Sequence, residues 1–570
     1  MFSFIHTFTN ASLPGLQKQG LWHAGDGLKI MHKPYFPAER GFNEYAKPGT
    51  LLYQTLRELR CPFYIDRMQG GLPFPYWYPF NTGLLEQYKE LLGDNFWGFQ
   101  MHEWASNFRS DMPRITAALK KWREENPGTP EERFWNAAVQ SAKTDPMALF
   151  TEAFTVAEWS KTEPPQSCSE FIGRLRPLWD MRSRQTGCPL IPADSYYMAP
   201  KIEIAGGAKL LLPEIGWQIP GSRFQIAYTR GMAKAAHIRW GVYYECWGGQ
   251  KDYSITIPYS VNSADNEWQE KDLMKDMERI TGGRSEQGGS SRSLQERLWL
   301  YAYFAGARVM GEEYGVCNTF RNYQDFELSE YGEVKKRFLD FVQKFPDVGS
   351  SYTPVAIALP QELEIYSLND DGNSYLQFPL FGAKGAGAID EVLSGKIKKA
   401  RSVIRALLYN GQADDILPGK DRHCIQNSPY PDIFDVLHGD QTEALSHYEY
   451  IIDLTGDEQF AARYKNIIEP QELEGLLPQL LPCTLTGGVH YMFNKTQQGW
   501  LLLAINNEGV LRDNFSGDSF CEKARIISRV DMRCAQTALH ALAGSGEIFQ
   551  EDGKYTLSLG AGEWLLIALA

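Results

Sequence analysis

Acidic side chains stand at the ends of a series of short apolar runs in this chain of 570 residues. Asp66-Arg67 closes Phe63-Tyr64-Ile65. His102-Glu103-Trp104 closes a run at 96–101, and Asp194 ends Leu190-Ile191-Pro192-Ala193. Glu214 follows Leu210-Leu211-Leu212-Pro213, Glu245 follows Val242-Tyr243-Tyr244, and Glu312-Glu313 follows a run at 307–311. Where strands run parallel, such end residues gather at one mouth. Paired carboxylates at one mouth suit glycosidic-bond hydrolysis: one acid protonates the leaving oxygen, and a second carboxylate attacks the anomeric carbon or activates water. Glu103 and Glu245 are the expected pair.

Their neighbours fit the division of labour. Trp104 follows Glu103, and Trp247 lies two residues beyond Glu245; an apolar wall raises a carboxyl pKa, which suits a general acid. The nucleophile must stay ionised and needs donors, and strand alternation puts Tyr243 and Arg239 on the face of Glu245. His102 is read as a hydrogen-bond donor to substrate or to Glu103, because the second His of a zincin motif is missing. Glu214 and Glu312 compete for places in the site. Glu312 and Glu313 are adjacent, so only one of them can face it. Asp66 and Arg67 fit a structural ion pair or a sugar-hydroxyl clamp equally well. Trp22, His23 and Asp26 are further candidates for a subsite. The binding set is thus His102, Asp66, Arg67, Trp104, Glu214, Tyr243, Trp247 and Glu312.

The elements that must position these residues alternate. Strand-like runs fall at 2–8, 28–33, 63–67, 96–103, 190–197, 210–214, 239–245 and 307–312. Helical periodicity lies between or after them, for example at 84–92, 223–236, 294–305 and 330–345. This alternation predicts an α/β fold with a closed (β/α)8 barrel over residues 1–350, carrying a helical insertion near 105–186. A new apolar strand begins after Pro354, and a helix near 396–409 and a strand near 432–437 follow. Residues 351–480 are read as a flavodoxin-like α/β domain without a phosphate loop. From 481 to 570 the period becomes two, with a hairpin at 488–493 and 500–506, which predicts a small antiparallel β-sandwich.

Composition narrows the partners. The formal net charge is −13, and no basic cluster offers itself to nucleic acid. No apolar run approaches a membrane span, and the N-terminus lacks the basic start and apolar core of a signal peptide. A cytoplasmic protein is expected. The nine cysteines are scattered and form no Cys-x-x-Cys pair, which fits reduced thiols and no zinc site. Neither metal nor organic cofactor is expected.

The layout resembles the three-domain glycosidases of clan A, and most of all the glycoside hydrolase family 42 β-galactosidases. The segment Phe96-Trp97-Gly98-Phe99-Gln100-Met101-His102-Glu103-Trp104 is similar to that family's fourth strand, which ends in the acid/base Glu. Residues 239–245 resemble its seventh strand, which ends in the nucleophile. The chain departs from the clan at His102, where Asn normally precedes the acid/base Glu. The resemblance implies a retaining exo-glycosidase acting on a β-linked sugar, with a β-galactoside as the default. It also implies a glutamine-amidotransferase-like second domain and a homo-oligomer, such as a trimer. Two other readings stay open: a non-catalytic carbohydrate-binding barrel, and an inverting glycosidase or lyase that uses Glu214.

Overall fold

The computed structural model describes residues 2–8, 12–31, 48–66, 92–102, 190–216, 221–245, 291–313, 325–361, 391–409, 424–513, 517–534 and 538–569, with scattered positions between 86 and 187 and at 219, 315, 319 and 320. Most of the expected insertion at 105–186 lies outside the described residues.

Eight parallel strands close on themselves. They are β1 (Ser3–Phe8), β2 (Gly27–Met31), β3 (Phe63–Asp66), β4 (Phe96–His102), β5 (Leu190–Asp194), β6 (Leu210–Gly216), β7 (Val242–Glu245) and β8 (Val309–Glu312). The ring runs in chain order, β8 pairs with β1, and the seam between β5 and β6 closes it through Ala193↔Leu212 and Asp194↔Pro213. All eight lie where the apolar runs predict them. A two-residue piece, Arg239–Trp240, pairs with β6 ahead of β7. Gly241 separates the two because a Cβ there would lie 2.1 Å from the Val309 carbonyl oxygen.

Alternation sorts the strand residues into two layers. Ile5, Tyr64, Ile191, Ala193, Leu210, Leu212, Tyr243 and Val309 form one buried cluster inside the ring. Their neighbours, among them Phe4, Leu28, Phe63, Phe99, Leu211, Val242 and Met310, join the larger core under the helices. That two-sided burial is what a parallel barrel demands of its strands.

The helices begin and end on recognisable signals. In α1 (Leu51–Leu59) the Thr50 hydroxyl accepts from Tyr53 N at 3.4 Å, and Arg60 ends the helix in the left-handed region. Next come α2 (Ala199–Ala205) and α3 (Ser222–Ala236). In α4 (Arg292–Phe304) Ser291 Oγ accepts from Leu294 N at 2.8 Å, and in α5 (Glu330–Lys344) Ser329 Oγ accepts from Gly332 N at 2.9 Å. Glu330 and Glu333 in the first turn of α5 and Lys344 in its last complement the helix dipole.

Past the barrel, Val355–Leu359 lies between Phe434–His438 and Tyr450–Asp453 in a separate three-stranded parallel sheet, with a helix at Glu391–Leu408. Helix α3 packs on this sheet as well as on the barrel, so it is buried continuously from Ser222 to Ala233. Gly231 is the point of closest approach: a Cβ there would lie 2.5 Å from the Val436 carbonyl oxygen. Arg230 crosses the junction, donating to Asp435 Oδ1 at 2.6 Å, Asp432 Oδ1 at 3.1 Å and the Phe434 carbonyl at 2.7 Å.

The C-terminal part forms antiparallel sheets of five and four strands. Its first hairpin is tighter than the periodicity predicts. His490–Thr496 pairs with Gly499–Ile505 up to Thr496↔Gly499, leaving only Gln497 and Gln498 as the loop. Gly499 makes this possible with φ +132°. Ser350–Ser351, just ahead of the parallel sheet, pairs into the five-stranded sheet beside Asn494 and Lys495. Among the described residues no helix is long and apolar enough to cross a membrane.

Candidate active site

The C-terminal ends of β6 and β7 bring two carboxylates to one face. Glu214 is two residues beyond the interior Leu212, and Glu245 is two beyond the interior Tyr243. Both are only 2% exposed. The register Glu214↔Tyr243 and Gly216↔Glu245 sets them on neighbouring strands, one step apart along the barrel axis. Glu245 lies against bare backbone: a Cβ on Gly216 would sit 2.6 Å from both its Cγ and its Oε1. Glycine at 216 therefore makes the room that Glu245 occupies.

A polar floor lies on the same interior face. Lys29 is fully buried on β2, and its Nζ donates to the Tyr243 hydroxyl at 2.7 Å and to the Glu312 backbone carbonyl. The same Nζ sits 4.8 Å from the centre of the Tyr243 ring. Gln100 Nε2 on β4 donates to the Tyr64 hydroxyl on β3 at 3.3 Å. Gly311 on β8 gives both rings space, since a Cβ there would lie 3.2 Å from Tyr243 Cδ2 and from the Tyr64 hydroxyl. Lys29 was not among the residues singled out from sequence. Its one signal was a lone cation within an otherwise apolar strand, Gly27-Leu28-Lys29-Ile30-Met31.

Glu312 faces the other way. Its Oε2 pairs with Lys335 Nζ at 2.5 Å, and Lys335 projects from α5, outside the barrel. Lys335 also donates to Thr319 Oγ1 at 3.2 Å and lies 4.5 Å from the Phe4 ring centre. Glu312 thus braces β8 against the helix layer rather than lining the mouth, and of the adjacent pair it is Glu313, one residue past β8, that follows the interior alternation. Glu313 is buried, and its N–H donates to the Tyr244 carbonyl at 2.9 Å.

Asp26 also serves the outer layer. It accepts from Phe4 N at 3.1 Å and His23 N at 2.8 Å, and it lies 3.2 Å from His6 Nε2. Burial alone would raise its carboxyl pKa, but the hydrogen bonds from His23 and His6 outweigh burial and hold it well below the usual carboxylate range. Burial and the nearby Lys335 ammonium push His6 down. Trp22 packs against His6 with ring centres 5.7 Å apart and the planes tilted by 41°, so the expected Trp22–His23–Asp26 subsite is a packing network on the outer face of β1.

Two further strand-end expectations have positional answers. Asp194 accepts from Tyr196 N at 2.8 Å and from Ala105 N at 2.6 Å, so it turns the chain after β5 and ties down the segment that leaves β4. Arg239 lies at the far end of its strand run with its guanidinium 4.8 Å from the Trp97 ring centre. It therefore belongs to the bottom of the barrel, and of the two expected donors it is Tyr243 that shares the face of Glu245 near the mouth. Asp66 and His102 are the last residues of β3 and β4. Glu103, Arg67, Trp104 and Trp247 lie outside the described residues.

No protein-family model matches the chain, and no curated protein matches it. Among solved structures it is similar to a polyextremophilic β-galactosidase from the Antarctic haloarchaeon Halorubrum lacusprofundi, at 10% identity and a TM-score of 0.40, covering 100% of this chain and 99% of that one. It is also similar to a rhamnosidase from Novosphingobium sp. PP1Y, at 10% identity and a TM-score of 0.32, covering 86% of this chain and 47% of that one.

Proposed function

We propose that this chain is a retaining glycoside hydrolase acting on a β-linked sugar, with β-galactosides as the first substrates to test. The observation that carries the reading is the pair of buried carboxylates, Glu214 and Glu245, at the C-terminal ends of adjacent strands of a closed barrel, above a floor holding a buried cation. Barrels of this kind place their chemistry at that end of the strands.

In this reading Glu245 is the nucleophile. Its carboxylate attacks the anomeric carbon while an acid protonates the departing oxygen. Water then cleaves the glycosyl ester, with the same acid now acting as base. Glu103 is assigned the acid/base role from its place directly after β4. Glu214 is the second assignment for that role, favoured by its burial and by its register with Tyr243. The same proposal keeps three units, at 1–350, 351–480 and 481–570, supported by the separate sheets that follow the barrel.

A screen of nitrophenyl glycosides tests the reading. Glu245→Ala is expected to abolish turnover, with azide or formate restoring part of it by filling the space left. Glu103→Ala is expected to spare substrates with good leaving groups and to slow ordinary glycosides far more. If Glu214→Ala is dead and Glu103→Ala keeps full activity on an ordinary glycoside, the acid is Glu214. A product that first appears with inverted anomeric configuration, read by NMR, would exclude the retaining mechanism.

A further inference from the structure

A cleft of about 1070 Å³ opens where the first turns of α4 and α5 meet the C-terminal sheets. It lies at the mouth end of the barrel, because each helix of such a barrel starts where the preceding strand ends. Two contacts fix that level. Lys335, in the second turn of α5, reaches the Glu312 carboxylate at the end of β8, and Gln295 Nε2, in the first turn of α4, donates to the Tyr331 carbonyl at 3.3 Å. The walls are held together. Asp518, from the strand Gly517–Phe520, accepts from Ser293 N at 2.9 Å and Arg292 N at 3.3 Å and so caps α4. Gly562, with φ +68°, passes the same turn so closely that a Cβ there would lie 2.5 Å from Ser293 Oγ. Glu296 on α4 accepts from Arg337 on α5 at 2.9 Å and from Trp564 Nε1 at 3.3 Å. Phe520 lines the cleft with 55% of its surface exposed.

The lining narrows the ligand. Six carboxylates stand against three guanidinium groups, a balance that disfavours an anion. Each guanidinium already faces a carboxylate: Arg337 lies 2.9 Å from Glu296, Arg292 3.6 Å from Asp518 and Arg525 3.7 Å from Glu563. A wholly apolar ligand would take these planar groups out of water and return no hydrogen bonds. A pyranose answers both sides of the lining. Its C–H face packs on an aromatic ring such as Phe520 or Trp564, and each of its hydroxyls both donates and accepts. We propose that this cleft is a second saccharide-binding site, taking a neutral oligosaccharide of β-linked pyranoses. The β linkage rests on the glycosidase reading above; the preference for a neutral, polyhydroxylated ligand does not. A chain held here stays at the mouth end of the barrel, which raises its effective concentration at the strand ends.

Cys521 supplies a readout that needs no turnover. It is an exposed free thiol on the cleft wall, whereas the exposed Cys534 does not line the cleft. The full-length Glu245→Gln chain, chosen so that the probe is not consumed, is alkylated with iodoacetamide, and each cysteine is followed by peptide mass spectrometry. The probes are β-1,4-linked galactopentaose, xylopentaose and mannopentaose, with spermine and sodium phosphate as charged alternatives. At millimolar concentration at least one pentasaccharide is expected to slow Cys521 about fivefold and to leave Cys534 unchanged. Phe520→Ala, a change at an exposed side chain, is expected to raise the half-protecting concentration about tenfold. Protection by no pentasaccharide, protection by spermine or phosphate alone, or unaltered protection in Phe520→Ala overturns the proposal. If the wild-type chain turns over nitrophenyl glycosides and no pentasaccharide protects Cys521, the cleft proposal falls and the glycosidase reading stands. If no glycoside is turned over and a pentasaccharide protects Cys521, the glycosidase reading falls and the saccharide site stands.

Discussion

Replacing Arg230 with methionine should be among the most damaging single changes to stability in this chain. The guanidinium is fully buried between α3 and the parallel sheet, and it makes three hydrogen bonds there. Two go to carboxylates and are charge-assisted, at roughly 1.5–3 kcal/mol each; the third, to the Phe434 carbonyl, adds about 1 kcal/mol. Methionine fills similar space but leaves the acceptors behind. Asp435 keeps Lys234 at 2.7 Å, Thr353 at 2.7 Å and Tyr448 at 2.9 Å, so it stays solvated by protein. Asp432 is left with Arg223 at 4.0 Å and His490 at 3.9 Å, both beyond hydrogen-bond range. Stranding one buried charge while the other keeps its partners puts the cost at about 3–5 kcal/mol. Urea unfolding followed by tryptophan fluorescence measures it, with exposed Arg529→Met as a control expected to shift by less than about 0.5 kcal/mol. Burial would raise the Asp432 carboxyl pKa, but Arg230, His490 and Arg223 hold it far below its ordinary range, and Lys234 and Arg230 do the same for Asp435. Depressed carboxylates stabilise the fold above their unfolded pKa of about 4 and lose that contribution as the pH falls below it. The gap between wild type and Arg230→Met should therefore narrow in acid. A variant within about 1 kcal/mol of wild type at neutral pH, or a gap that widens on acidification, would refute the reasoning.

Two buried histidines give a second acid response, in a different window. Burial lowers His438 to about 4, helped by Lys201, and burial with Arg223 lowers His490 to about 4. Both are neutral when folded and take up a proton near pH 6.5 when unfolded, so stability should fall as the pH drops from about 6.5 to about 4, by up to about 3 kcal/mol for each; equal melting temperatures at pH 7 and pH 5 would contradict this. Gly216→Ala should disturb Glu245 directly, because the new Cβ would lie 2.4 Å from the Glu245 carbonyl oxygen and 2.6 Å from its Oε1 at a φ of +153°. On the glycosidase reading we expect kcat to fall at least about tenfold and stability by about 1–3 kcal/mol; wild-type kcat in this variant would show that the Glu245 carboxylate does no chemistry.

The barrel was legible because strands buried on both faces write themselves as continuous apolar runs, such as Leu210-Leu211-Leu212. All eight runs became strands. Their ends were harder. The fifth run continues apolar past 194, yet the strand stops there because Asp194 captures Tyr196 N and turns the chain toward α2. The candidate site was legible as a set of strand ends, but not which way each end residue faces. Glu312 and Glu313 look equivalent in the sequence, and only the alternation from Val309 and the arrival of Lys335 separate them. Lys335 did carry a sign, since it falls among Tyr331, Val334, Phe338 and Leu339 on the buried stripe of its helix. Lys29, Arg223 and Arg230 were passed over for the same reason: a charged side chain is ordinarily read as solvated, and these three are buried where distant parts of the chain meet.

The ladder between β1 and β8 has a consequence for how the chain is made. Ser3 pairs with Val309, Phe4 with Met310 and Ile5 with Gly311. On a ribosome adding roughly 5–20 residues per second, the outer edge of β1 waits roughly 15–60 s for its neighbour to be synthesised. Until β8 is made the growing barrel is an open sheet with two unpaired margins, reaching β1 to β7 only once Glu245 has been added, and an open margin invites pairing with other nascent chains. Release of the chain between β7 and β8 would strand it in this state, so premature termination in that stretch should yield aggregated rather than soluble fragments.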